Sequence, residues 1–156
     1  MSLYFLDTSA LVKYYRREEG SDFVERLFTT VADHRVISRL AMVEIESAFA
    51  TRVRTGEIDR DTAFVARRRL ESDLGRGHLR MAAVSDQHFE AARRLLTKHG
   101  TERSLRTLDA LQLSVAIRLR QAGFPLIFVA ADRKLCEVAE LEGFRVTNPE
   151  HPRLTT

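Results

Sequence analysis

The stretch LYFLDTSALVKYY, residues 3–15, decides how the rest of the chain is read. Leu3 to Leu6 is a nearly continuous apolar run, the pattern of a strand buried on both faces. An aspartate, Asp7, ends that run. Ser9 is then placed to cap a short helix through about Arg16. A core strand that passes straight into a helix is half of a βαβ unit. Asp7 either caps the turn between them or opens a site whose other parts lie far along the chain.

The same switch of period recurs downstream. Helices are expected over 21–31, 41–54, from Asp59 to near Gly75, from Asp86 to about His99 with a stop at Gly100, over 108–121, and over 135–141. Short strands are expected at 35–38, 79–84, 125–130 (PLIFVA) and 144–146. Strands separated by helices imply right-handed crossovers and a mostly parallel sheet covered on both faces, an α/β fold. No linker, repeat or low-complexity tract interrupts the chain, so residues 1–156 read as one domain. In such sheets ligands bind beyond the carboxyl ends of the strands, near a topological switch point. Asp7 and Asp132 each follow a strand directly or nearly so.

Composition narrows the function classes. The 156 residues carry 44% hydrophobic and 30% charged side chains, enough for a core and too apolar for disorder. A net charge of +3 permits a polyanionic partner without requiring one. The single cysteine, Cys136, allows no internal disulfide and falls in an apolar helical pattern. No secretory leader pattern is present, and no apolar run approaches the roughly 18 residues of a membrane span. A cytoplasmic protein is expected.

The acids carry the chemistry. Asp109 lies in LDALQLSVAIRL, residues 108–119, where Leu108, Ala110, Leu111, Leu113, Val115, Ala116, Ile117 and Leu119 surround the helix almost completely. A helix apolar nearly all round is buried. A carboxylate there must meet a cation, a metal or hydrogen-bond donors, or serve the dipole of the first turn. Glu44 and Glu46 sit about 200° apart on one helix and share no face. Met42, Ile45, Phe49 and Val53 form its apolar stripe. Glu46 borders that stripe, and Glu44 lies on the polar side with Ser47 and Thr51. Asp132 has a local role available as the cap of the helix from Arg133. Converging carboxylates repel one another unless a hard cation joins them, and Mg²⁺ or Mn²⁺ takes oxygen ligands. The five histidines show no metal-ligand spacing, so zinc is not expected. No glycine-rich phosphate loop is visible. Ser9 has no neighbouring histidine to activate it.

These residues in this order resemble the PIN-domain family of metal-dependent ribonucleases, and among them the VapC-type toxins of prokaryotic toxin–antitoxin pairs. FLDTSALVKYY is similar to the family's opening strand and first acid, Asp7. ISRLAMVEIESAFA is similar to the second motif, with Glu44 and not Glu46 in register. LRTLDALQLSVAIRL carries the third acid, Asp109. IFVAADRKL followed by GFRVTNP carries the fourth, Asp132. Ala130 stands where many members have Ser or Thr, and Lys134 where some have a further acid, which leaves fewer ligands for a second ion.

The resemblance implies a three-layer α/β/α sandwich and a Mg²⁺ or Mn²⁺ site on Asp7, Glu44, Asp109 and Asp132. It implies RNA cleavage that leaves a 5′-phosphate and a 3′-hydroxyl. It also implies a homodimer held inactive by an antitoxin, whose tail often presents an arginine to the acids. Glu46 would then be structural and paired with an arginine. Lys13, Arg39, Arg106 and Arg133 lie near the acid-bearing motifs and are candidates for phosphate contacts, with ordinary surface cations as the competing account. Arg67, Arg68 and Arg69 point in three directions and form no single patch. Two other readings are a catalytically silent PIN-like protein-binding module and another PIN-type RNA-processing nuclease. A basic nucleic-acid-binding regulator would need a cation-studded recognition helix, and none stands out.

Overall fold

A computed structural model describes residues 2–152. Its centre is one sheet of five strands: β1 (Leu3–Leu6), β2 (His34–Ser38), β3 (Arg80–Ala82), β4 (Leu126–Val129) and β5 (Arg145–Thr147). The spatial order is β3-β2-β1-β4-β5, and every pairing is parallel. The chain thus builds outward from β1 to one edge, then returns to the other side of β1. That reversal makes the gap between the carboxyl ends of β1 and β4 the switch point.

Among the described residues, seven helices cover the sheet. They are α1 (Thr8–Tyr15), α2 (Ser21–Thr29), α3 (Arg39–Arg54), α4 (Arg60–Gly75), α5 (Asp86–Arg103), α6 (Thr107–Gln121) and α7 (Arg133–Leu141). Alternate strand residues point to opposite faces. Phe5, Val36 and Phe128 enter a core closed by α5, α6 and α7. Leu6, Ile37 and Val129 enter a second core closed by α1, α2, α3 and α4. The expected α/β/α sandwich is the observed architecture.

The differences from expectation are local. The cap of α1 is Asp7, not Ser9. The segment from Ser21 stops at Thr29, so Val31 lies beyond the helix and is fully exposed. Gly100 does not end α5, which runs to Arg103 and stops at Ser104 in the left-handed region, φ 53°. Glycine weakens a helix but does not stop one whose inner face, here Ala92, Leu95 and His99, remains buried. The expected strand at 79–84 shrinks to Arg80–Ala82, because an edge strand persists only where β2 offers a partner.

The C-terminal segment is tied back to the start of α2. Gly20 adopts φ +84°, and a Cβ there would lie 2.9 Å from the Pro149 carbonyl carbon. Lys13 Nζ meets Glu150 at 2.6 Å.

Candidate functional site

Each of the four acids is delivered by a different part of the fold. Asp7 leaves β1, and its backbone N–H donates to Val129 O of β4 at 2.9 Å, which locks it to the switch point. Its Oδ2 accepts from the Ser9 hydroxyl at 2.6 Å and the Ser9 N–H at 3.0 Å. The Ser9 hydroxyl in turn accepts from Ala131 N at 3.0 Å, so the loops after β1 and β4 are joined. Asp7 does cap α1, and the capping and site readings coexist: the Ser9 bonds engage Oδ2.

Glu44 lies in the second turn of α3, on the side the helical wheel marks as polar. Ser47 and Thr51 on that side are exposed, but Glu44 itself is half-buried where Thr8 of α1 and Gln112 of α6 meet it. Glu44 Oε1 accepts from the Thr8 hydroxyl at 3.1 Å and from Gln112 Nε2 at 2.5 Å. Gln112, fully buried on α6, also donates to Thr8 Oγ1 at 3.0 Å and accepts from the Ser38 hydroxyl at 2.6 Å. Ser38 is the cap of α3. One amide thus sets the Glu44 carboxylate against both α1 and the start of α3. Glu46 points away, exposed and paired with Arg67 Nε at 2.7 Å, as the arginine pairing expected of it requires.

Asp109 is buried in the first turn of α6. Its cation is Arg106, the N-cap residue: Arg106 Nε donates to Asp109 Oδ2 at 2.8 Å, and Nη2 donates to Asp132 Oδ2 at 3.1 Å. Asp132 caps α7, its Oδ1 accepting from Leu135 N at 3.0 Å. Leu108, expected in the buried wall of α6, is 46% exposed. An open cleft of about 520 Å³ is lined by Ser104, Arg106, Asp109, Asp132, Arg133 and Lys134 among others.

Burial and mutual repulsion act on these acids together. Desolvation, set against the two Ser9 bonds and aided by the charges of Asp109 and Glu44, raises the Asp7 carboxyl to about 6. Glu44 is raised, chiefly by burial, against the bonds from Gln112 and Thr8. Asp109 is raised by burial despite Arg106, with Asp132 adding to the effect. Among the described residues, no three His, Cys, Asp or Glu side chains stand close enough, as placed, to share a metal ion. The donor set itself is all carboxylate oxygen, with the proton affinities of Asp7, Glu44 and Asp109 raised and with Asp109 and Asp132 lining the cleft. That set fits Mg²⁺ or Mn²⁺ in kind, with Arg106 bridging Asp109 and Asp132 and neutral donors on Asp7 and Glu44.

The four candidate cations divide. Lys13 is 4% exposed, and its ammonium is engaged by Glu18 at 2.9 Å and Glu150 at 2.6 Å. Arg39, one turn before Glu44, and Arg133, in the cleft, are exposed. Arg106 is paired with Asp109 and Asp132 while its side chain stays exposed. Lys134 lines the same cleft and is a cation the sequence reading noted only as a departure. Arg67, Arg68 and Arg69 do diverge: to Glu46, to Glu71, and over the Tyr14 ring at 4.0 Å.

A parallel α/β/α sandwich with four acids at the carboxyl edge of its switch point defines the class. A PIN domain family model matches residues 4–141, and the chain belongs to the PIN domain family. No curated protein sequence matches it. Solved structures share the fold. VapC20 of Mycobacterium tuberculosis, described as a sarcin-ricin loop cleaving toxin, is 20% identical, with 97% of this chain and 100% of that one covered at a TM-score of 0.66. VapBC2 of Rickettsia felis, bound to a DNA fragment from its promoter, is 16% identical over 94% of this chain and 98% of that one, at 0.63. PAE2754 of Pyrobaculum aerophilum is 20% identical over 96% and 85%, at 0.62. Among the described residues no helix is long and apolar enough to cross a membrane.

Proposed function

We propose that this chain is a Mg²⁺- or Mn²⁺-dependent endoribonuclease and the toxin of a toxin–antitoxin pair, acting in the cytoplasm as a homodimer. The observation that carries the reading is the delivery of Asp7, Glu44, Asp109 and Asp132 from four elements to one sheet edge. Membership of the PIN family and the likeness to VapC20 and VapBC2 support it.

In this reading the four acids hold the ion. When bound, it supplies a Lewis acid that lowers the pKa of water and offsets charge on the phosphodiester. The protein does the placing. Ser9 fixes the Asp7 carboxylate, Gln112 and Thr8 fix Glu44, and the first turn of α6 presents Asp109. Arg133 and Arg39 offer charge to the RNA backbone, and cleavage leaves a 5′-phosphate and a 3′-hydroxyl. The partner is an antitoxin whose tail occupies this cleft.

Cleavage of total RNA with Mn²⁺, followed by sequencing of the new 5′ ends, tests the reading. Asp7→Asn and Asp109→Asn are expected to abolish cleavage with the fold intact. Wild-type rates from both variants refute it. A protein-binding module without catalysis is the second reading, favoured by the engagement of Asp109 and Asp132 with an arginine. Calorimetric titration with Mn²⁺ separates the two, since the module predicts no binding beyond that of Asp7→Asn.

A further inference from the structure

Among the described residues, Arg106 is the cation that bonds two of the four acids. It is bonded to Asp109 through Nε at 2.8 Å and Nη2 at 3.4 Å, and to Asp132 through Nη2 at 3.1 Å. Its field reaches Asp7 and Glu44 as well. The other polar partners of these acids are neutral: Ser9 for Asp7, and Thr8 and Gln112 for Glu44. Its position in the fold is unusual for a counter-ion of buried acids. The Arg106 side chain is 69% exposed, whereas that of Asp109 is 11% and that of Asp132 29%. The guanidinium therefore rests across the mouth of the site, on a long stem that water can carry away. The guanidinium is the more solvated side of each pair, and that solvation screens its hold on the acids.

We propose that Arg106 is a built-in counter-cation that clamps Asp109 to Asp132 and must be displaced before a divalent ion can draw the acids together. This rests on the reading of the acids as a divalent-metal site. Arginine does not lose its proton in proteins, so the clamp opens by exchange of cations and not by titration. A divalent ion brings two charges to the carboxylates where the guanidinium brings one. The freed guanidinium stays tethered to the N-cap of α6, in the cleft with Arg133 and Lys134, where its planar fork suits a phosphate. Arg106 thus opposes metal binding and then serves the substrate.

The test is calorimetric titration of the chelator-treated chain with MnCl₂ at pH 7.5. It compares wild type, Arg106→Gln, Arg106→Lys and Asp109→Asn, with circular dichroism confirming the fold of each. Arg106→Gln is expected to bind Mn²⁺ about tenfold more tightly than wild type, because the competing cation is gone. Arg106→Lys keeps the charge but loses the fork that spans two carboxylates, and is expected to tighten by about threefold. Asp109→Asn is expected to bind weakly or not at all. Equal or weaker binding by both Arg106 variants overturns the clamp while leaving the metal site standing. Absence of binding by wild type and both Arg106 variants overturns the clamp and the metal site together. If Arg106→Gln does not fold, the lysine variant decides, and its failure to tighten overturns the clamp.

Discussion

Asp7 should be a liability to the fold. It is 4% exposed, and its carboxyl is pushed from 3.8 to about 6 by burial and by its acidic neighbours, against the Ser9 bonds. For an acid this shift disfavours the charged form in the folded state. Stability is fully retained below about pH 3.8, falls as pH rises, and the cost is complete above about pH 6. At about 1.4 kcal/mol for each tenfold change in proton affinity, the cost at pH 7 is about 3 kcal/mol. Asp7→Asn removes it while keeping an acceptor oxygen for the α1 cap, where Asn serves as well as Asp. In the presence of a chelator, the variant should therefore be more stable than wild type by about 2–3 kcal/mol at pH 7, or roughly 5–10 °C in Tm. The gap should shrink to about 1 kcal/mol at pH 4.5, where the folded carboxyl is already protonated. Urea denaturation of both proteins between pH 4.5 and 7.5 measures it directly. Mn²⁺ should stabilise the wild type and not the variant. An Asp7→Asn protein equal to or weaker than wild type at pH 7, or a gap that does not change with pH, refutes the reasoning.

Other substitutions test the frame around the acids. Gln112→Leu strips Glu44, Thr8 and Ser38 of a buried partner and should cost about 2–4 kcal/mol in chemical denaturation, whereas an unchanged midpoint would show the amide to be dispensable. Gly20→Ala places a Cβ at φ +84° and 2.9 Å from Pro149, and should lose about 2 kcal/mol, with new protease sensitivity near residues 148–152. Lys13→Met leaves Glu18 and Glu150 without their buried ammonium. Because both glutamates are partly solvated, the loss should be about 1–2 kcal/mol, and RNA affinity measured by filter binding should not change. A fall in RNA affinity would return Lys13 to the substrate surface.

Most of the fold was legible because its signals are local and agree with one another. A buried strand that ends on a capping residue, followed by an amphipathic run, predicts a βα unit, and the chain repeats it along its length. What was not legible depended on which partner a segment finds. Gly100 carries the same stop signal as Gly56 or Gly123, yet α5 passes through it because Leu95 and His99 keep that face on the core and the left-handed turn falls at Ser104. Lys13 read as a surface cation one helical turn beyond Ser9. Nothing in its neighbourhood reveals that Glu150, more than a hundred residues away, returns to enclose it.

The site was legible as acids and not as their supports, and the reason is specific. A helical wheel placed Glu44 on a polar face, which is correct, but a wheel has no knowledge of what packs over that face. Gln112 did carry a signal. It stands among Leu111, Leu113, Val115 and Ala116 in a helix buried all round, as does Ser114. The two differ in what they can do alone. Ser114 satisfies its hydroxyl locally, donating to Leu111 O at 2.7 Å, and asks nothing of the rest of the fold. A glutamine amide reaches past its own helix and cannot satisfy both ends there, so a fully buried one must be paired with other elements. Here those elements are α1, α3 and the end of β2. In a helix that also carries a buried Asp109, a polar side chain with no local partner points to the positioning of a distant acid. Arg106 belongs to the same argument from the other side: an arginine three residues before a buried aspartate is that acid's nearest available cation. Its charge has to be counted with the four carboxylates before the site's affinity for any divalent ion is judged.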